Sequence, residues 1–368
     1  MSLLILIGCK ELSQSSTSQS PTIASSYIEP KVIIIGHRGA SALRPEHTLA
    51  AYQKAIEDGA DFIEPDLVPT KDGFLIARHE NNITETSNIS TLNQFLARKQ
   101  TKIIDGQSMT GWFSEDFTLD ELTHYVKARE RIAQFRPENT HYNDQLSIPT
   151  LEQIIELAEA HYKKTGKIIG LYIETKHPNY FRNIQLPLED PLIRTLAKYQ
   201  YTREIAPIYL QSFEVQNLKD MQQQLKKHSI QHVQIIQLLD DQTLQPADGF
   251  NQTYGQMATP LGLKHIATYA HGVGPSKAYI FPNASQTQTT FVKDAHQAGL
   301  KVHPYTFRPE NSFLPTPYKC SNIATEKCES GSIKELKSFF HAGVDGVFTD
   351  DPSIGRKALN QFQNSQHQ

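Results

Sequence analysis

The feature that most constrains this chain is an alternation. Short runs of apolar and β-branched residues recur, separated by amphipathic stretches of helical period. The runs are Val32–Ile35, Asp61–Leu67, Phe74–Ala77, Ile168–Ile173, Ile205–Leu210, Val233–Leu238, His265–Ala270, Lys301–Thr306 and Asp345–Phe348. Several are nearly unbroken apolar strings, the pattern of parallel strands buried on both faces. Between them Leu49–Asp58, Leu151–Lys163, Val215–Lys227, Thr289–Ala298 and Ile333–Ala342 carry the helical period, the last two followed by Gly299 and Gly343 as C-cap residues. One pair of runs breaks the rule. Pro69-Thr70-Lys71-Asp72-Gly73 is a turn with no room for a helix, so Phe74–Ala77 reads as a hairpin return beside Asp61–Leu67. Setting that return aside leaves eight strands, the plan of an α/β fold of the TIM-type (β/α)8 barrel kind, with its site at the C-terminal strand ends. A length of 368 residues suits one large barrel with an addition. Residues 31–360 are assigned to the barrel. Within them, about 81–148 show no βα unit and are expected to form a small insertion domain after the second barrel strand.

The two ends of the chain and its cysteines bear on location. Leu6-Ile7-Gly8-Cys9 resembles the lipobox of bacterial lipoproteins, although the apolar run is short and lacks a basic n-region. Residues 1–9 are therefore expected to be a lipoprotein signal, with Cys9 the lipidated residue. The Ser-, Thr-, Gln- and Pro-rich stretch within 10–30 reads as a flexible tether. Together they suggest a bacterial periplasmic protein held to the outer membrane by a lipid anchor. Cys320 and Cys328 are expected to pair as a disulfide, which an oxidising compartment permits. Lys and Arg total 36 against 39 Asp and Glu, a formal charge of −3, which argues against a nucleic-acid partner.

Chemistry gathers where the runs end. The first ends in Gly36-His37-Arg38-Gly39, placing an imidazole and a guanidinium at the barrel mouth. The second gives Glu64-Pro65-Asp66; residues i and i+2 of a strand share a face, and two such carboxylates call for a cation between them. A hard divalent ion with oxygen ligands meets that demand. The hairpin return ends in Arg78-His79-Glu80, which brings His79 back toward His37, and the next strand ends in Glu174-Thr175-Lys176. Two imidazoles beside a metal suit acid–base work near neutral pH.

These residues carry a resemblance. His37-Arg38-Gly39-Ala40-Ser41, Pro45-Glu46-His47-Thr48, Glu64-Pro65-Asp66-Leu67, Thr70-Lys71-Asp72-Gly73 and Arg78-His79-Glu80 together resemble the glycerophosphodiester phosphodiesterase family, in its bacterial periplasmic branch. Tyr172 to Lys176, Leu210 to Phe213, Ala270 to Pro275, Val302 to Arg308 and Gly343 to Asp350 extend the likeness from Val32 to Leu359. The resemblance implies a metal-dependent phosphodiesterase on a TIM barrel. It implies that Glu64, Asp66 and Glu174 hold one divalent cation, calcium ahead of magnesium, that His37 and His79 are catalytic, and that Arg38 and Lys176 grip phosphate. Glu80 stands where the family has aspartate, and His271 where this branch often has an acid.

Charge supports the metal. Three carboxylates against Arg38 and Lys176 leave the site at −1, which repels a phosphodiester of −1; a divalent ion makes it +1. The expected reaction releases glycerol 3-phosphate and an alcohol such as choline or ethanolamine. One histidine would assist attack and the other protonate the departing alcohol, with water or the substrate's 2-hydroxyl as nucleophile. Glu46 is a candidate second-sphere residue, either orienting a ligand or His37 or acting as a structural cap. Phe213, Tyr305 and Phe307 are candidates to line the glycerol pocket. Two other readings stand beside this one: a phospholipase C- or D-like activity on the same barrel, and a surface lipoprotein with a binding role.

Overall fold

The computed structural model describes residues 29–228, 230, 232–282 and 287–366. Cys9, the proposed signal and all but the end of the tether lie outside them. The strands are β1 Ile33–His37, β2 Phe62–Glu64, β3 Asp66–Pro69, β4 Leu75–Ala77, β5 Gln100–Ile104, β6 Gln107–Gly111, β7 Gly170–Thr175, β8 Ile208–Ser212, β9 Gln234–Leu239, β10 Gly272–Pro275, β11 Lys301–Val302 and β12 Gly346–Thr349. Parallel pairing runs β11-β10-β9-β8-β7-β2-β1-β12. Backbone bonds from Asp345 N to Val302 O and from Phe348 N to Pro304 O draw the last two strands together. The result is a nearly closed eight-position parallel barrel with helices outside.

The expected second strand is broken in two. Pro65 has no N–H to give to a ladder, so β2 continues the barrel against β1 and β7 while β3 pairs with β7 and turns into the hairpin with β4. The hairpin forms as expected, with Leu67 opposite Ala77 and Pro69 opposite Leu75.

The sixth barrel strand lies further along the chain than the apolar pattern predicts. His265–Ala270 is not a strand: Pro260–Ile266 is a helix whose N-cap Thr259 accepts from Gly262 N, and the strand is Gly272–Pro275. Its glycines hid it from a pattern search for apolar runs. Gly272 is required by close packing, since a Cβ there would sit 2.9 Å from the backbone oxygen of Lys301 on the neighbouring strand. This places His271 at the opposite end of the barrel from the site, where its Nδ1 accepts from Ile235 N.

Ile33, Ile35, Phe62, Tyr172, Tyr209, Ile236 and Phe348 fill the barrel interior. The cavity of the site lies above that plug, at the C-terminal strand ends. Residues 81–148 hold the β5–β6 hairpin, a helix at Leu119–Tyr125 and several short 3-10 turns around buried Phe95, Trp112 and Phe117. Cys320 and Cys328 form a disulfide, their Cα atoms 5.5 Å apart. Among the described residues no helix is long and apolar enough to cross a membrane.

Candidate active site

Strand register builds the site. His37 lies opposite Glu64, Asp66 opposite Glu174, and Glu174 opposite Gln211. The tips of β1, β2, β3, β7 and β8 therefore deliver their polar side chains to one level. Ligand oxygens of Glu64, Asp66 and Glu174 all lie within 4.8 Å of one another, and all three residues are buried. A cavity of about 280 Å³ opens beside them, lined by His37, Arg38, Glu64, His79, Glu174, Gln211, Phe213 and Tyr305, with Arg131 and Arg308 on its wall.

Local backbone makes the first turn possible. Gly39 has φ +85°, and a Cβ there would come within 2.5 Å of the Ala51 backbone. Arg38 itself holds φ 57°, the left-handed region that a residue with a Cβ seldom adopts. The tight turn lets the Arg38 N–H donate to Glu64 Oε2 at 2.7 Å while its Nη1 donates to Glu46 Oε2 at 2.9 Å. Glu46 also accepts from Arg131 Nε at 3.0 Å. It thus holds two arginines of the cavity and makes no bond to His37.

The acid cluster fits a divalent cation. Burial, then the Asp66 and Glu174 carboxylates, push Glu64 well above the usual carboxylate range. Burial and the Asp66 carboxylate raise Glu174 to about 7, against the pull of the Lys176 ammonium 2.8 Å away. Asp66 goes the other way: in spite of burial, His47 and Arg38 hold it well below its ordinary value. Asp66 Oδ1 is buried with no hydrogen-bond partner, as is Gln211 Oε1. Crowded carboxylates with an orphaned oxygen are the donor set a hard cation satisfies.

Each histidine has a carboxylate at Nδ1. His37 Nδ1 is 2.6 Å from Asp350 Oδ1, and His79 Nδ1 is 2.9 Å from Glu80 Oε1. A carboxylate there favours the tautomer with hydrogen on Nδ1 and a lone pair on Nε2. Lys176 Nζ lies 3.4 Å from His79 Nε2. Burial first, then the Arg38 charge, lower His37 to about 4 and His79 to about 3. Both are neutral at pH 7 and able to accept a proton.

Of the candidate pocket aromatics, Phe213 and Tyr305 line the cavity, their rings edge-on at 6.2 Å. Phe307 does not. It is buried with its ring against Phe339 at 4.8 Å, because the chain past β11 turns its side chain outward into the helix layer. Sequence reasoning missed Asp350, Gln211, Arg131, Arg308 and His47. His47 Nε2 sits 2.9 Å from Asp66 Oδ2, with Tyr52 OH 2.8 Å from its Nδ1. The motifs contained most of these residues, but nothing local distinguished them from their neighbours.

Comparison with known proteins identifies the family. Residues 37–354 match the model of the glycerophosphoryl diester phosphodiesterase family. A glycerophosphodiester phosphodiesterase of Arabidopsis thaliana is 34% identical over 332 residues, covering 86% of this chain and 82% of its own. One from Haemophilus influenzae is 29% identical over 375 residues, covering 96% and 95%. Among solved structures, a phosphodiesterase of Oleispira antarctica in complex with the product sn-glycerol-3-phosphate shares the fold at TM-score 0.57 and 17% identity, over 89% of this chain and 96% of that one. By its family match, its relatives and its barrel, the chain belongs to the glycerophosphoryl diester phosphodiesterase family.

Proposed function

We propose that the protein hydrolyses glycerophosphodiesters such as glycerophosphocholine and glycerophosphoethanolamine to glycerol 3-phosphate and the free alcohol, with one divalent cation, calcium ahead of magnesium, held by Glu64, Asp66 and Glu174. The observation that carries this reading is the buried triad of acids with carboxylate-held His37 and His79 lining the same cavity. When bound, a divalent cation supplies polarisation of a phosphoryl oxygen. Arg38 and Lys176 meet the phosphate charge, and Arg131 and Arg308 add positive charge to the cavity wall. His37 and His79 exchange protons through Nε2. One takes a proton from the attacking hydroxyl; the other, its basicity raised by the incoming anion, has taken a proton from solvent at Nε2 and gives it to the departing oxygen. Acid–base help of this kind contributes about 10²–10⁴, so positioning and charge carry the rest of the acceleration.

A coupled assay for glycerol 3-phosphate over several head groups, with and without chelator, tests the proposal. Turnover that is unaffected by chelator would remove the metal. Turnover of intact phospholipid in preference to glycerophosphodiesters would move the protein to a phospholipase.

The periplasmic lipoprotein placement is part of the same proposal. A disulfide between Cys320 and Cys328 suits an oxidising compartment. Mass spectrometry of the membrane fraction should find a diacylglyceryl group on Cys9, and an unmodified N-terminus would end that reading.

A further inference from the structure

The carboxylates that hold the two histidines are themselves held from the insertion. On the His79 side, contacts lead to the tip of the β5–β6 hairpin. Asp105 Oδ2 accepts from His177 Nδ1 at 2.5 Å, His177 Nε2 donates to Glu80 Oε2 at 2.8 Å, and Glu80 Oε1 faces His79 Nδ1. With a carboxylate on each nitrogen, His177 is an imidazolium. Burial opposes its charge, but the hydrogen bonds to Asp105 and Glu80 prevail and raise it to about 9. The hairpin tip is well defined: Asp105 and Gly106 have φ 48° and 79°, the pair of positive values that a two-residue I′ loop needs.

The His37 side has the same plan with different residues. Asp350 Oδ1 takes the His37 contact, and Asp350 Oδ2 accepts from Arg136 Nη2. Arg136 is 4% exposed. Its Nε donates to Glu310 Oε1 at 2.7 Å and its Nη1 to Ser41 O at 2.8 Å. Asp105 and Arg136 both belong to 81–148; Arg136 reaches His37 through Asp350, and Asp105 reaches His79 through His177 and Glu80.

We infer that the insertion sets the orientation and tautomer of both catalytic histidines: Asp105 acts through His177 and Glu80, and Arg136 through Asp350. These are positioning residues, and the inference rests on the two-histidine reading above. The tip of β1 and the β3–β4 hairpin place His37 and His79; the insertion locks the ring planes that proton transfer requires.

Asp105→Asn is the clean perturbation, because asparagine suits the same left-handed turn position and removes only the carboxylate charge that faces His177. With glycerophosphocholine as substrate, kcat should fall roughly 10-fold, the lower end of what orienting partners command. KM should stay within about twofold, and circular dichroism should be unchanged. In a Glu80→Gln background the same substitution should cost nothing further. Arg136→Lys should lower kcat similarly and be silent in an Asp350→Asn background. Wild-type kcat in both Asp105→Asn and Arg136→Lys, or losses that multiply with the Glu80 and Asp350 variants, would overturn the inference. His37→Ala and His79→Ala separate the two levels. If they keep turnover, the two-histidine reading itself fails; if they are inactive while the insertion variants are normal, only the positioning role fails.

Discussion

Metal binding should be measurable as stability without any turnover. The perturbation is saturation with calcium after chelator treatment. Glu64, Asp66 and Glu174 place their ligand oxygens within 4.8 Å of one another in a buried site, so the unfolded chain offers no comparable set. A ligand that binds only the folded form stabilises it by about 2.7 kcal/mol at 100 times its Kd. For 368 residues the unfolding entropy is roughly 0.8 kcal/mol/K. The expected rise in Tm is therefore about 3–4 °C by differential scanning fluorimetry. Replacing the triad by Glu64→Gln, Asp66→Asn and Glu174→Gln should abolish the rise. A Glu64→Gln, Glu174→Gln double variant that keeps the His47-held Asp66 should melt in chelator above the wild type in chelator, because burial and mutual repulsion already push Glu64 and Glu174 toward their neutral forms. The two effects have opposite signs and one cause. A calcium shift that survives in the triple variant, or no shift in the wild type, would refute the assignment of these three acids.

Three further outcomes are expected. His37→Ala and His79→Ala should each lower kcat by about 10²–10⁴ with unchanged circular dichroism, the loss appropriate to a proton-transfer group; steady-state kinetics reads it. His177 is raised to about 9 in the fold against about 6.5 unfolded, so the stability it contributes is complete below pH 6.5 and is lost as pH rises through 9. Urea midpoints across that range should fall by the equivalent of up to about 3 kcal/mol at that residue, and Asp105→Asn should shrink the fall; a flat profile from this residue would contradict its charged state. Cys320 and Cys328 are 8 apart in sequence, so Cys320→Ser with Cys328→Ser should cost about 2.5 kcal/mol by loop closure, seen as a lower urea midpoint, and an unchanged midpoint would show the loop gains nothing from the link.

Much of the site was legible because its chemistry sits where apolar runs stop. His37, Arg38, Glu64, Asp66, His79, Glu174 and Lys176 each follow or close a strand, and a polar residue at the end of a buried strand has to face the barrel mouth. Their family pattern added roles that spacing alone left open. The helix ends marked by Gly299 and Gly343 were equally readable, and both glycines take positive φ. The errors have physical causes. His265–Ala270 has a strand-like composition but follows a capped helix start at Thr259 and Pro260. The true strand, Gly272–Pro275, has a weak apolar signal because neighbouring strands crowd a Cβ at Gly272 and Gly274. Phe307 lies only two residues from Tyr305, yet it packs in the helix layer and not in the cavity.

By itself the sequence determined the alternation that closes into a barrel and the charged tips that face its mouth, since both are written in consecutive residues. Only the tertiary structure decided who holds those tips. Asp350 meets His37 across 313 positions, Arg136 meets Asp350 across 214, and Asp105 meets His177 across 72. Such partners depend on strand register and on the path of an insertion, and no local pattern of residues encodes a distance between segments that far apart.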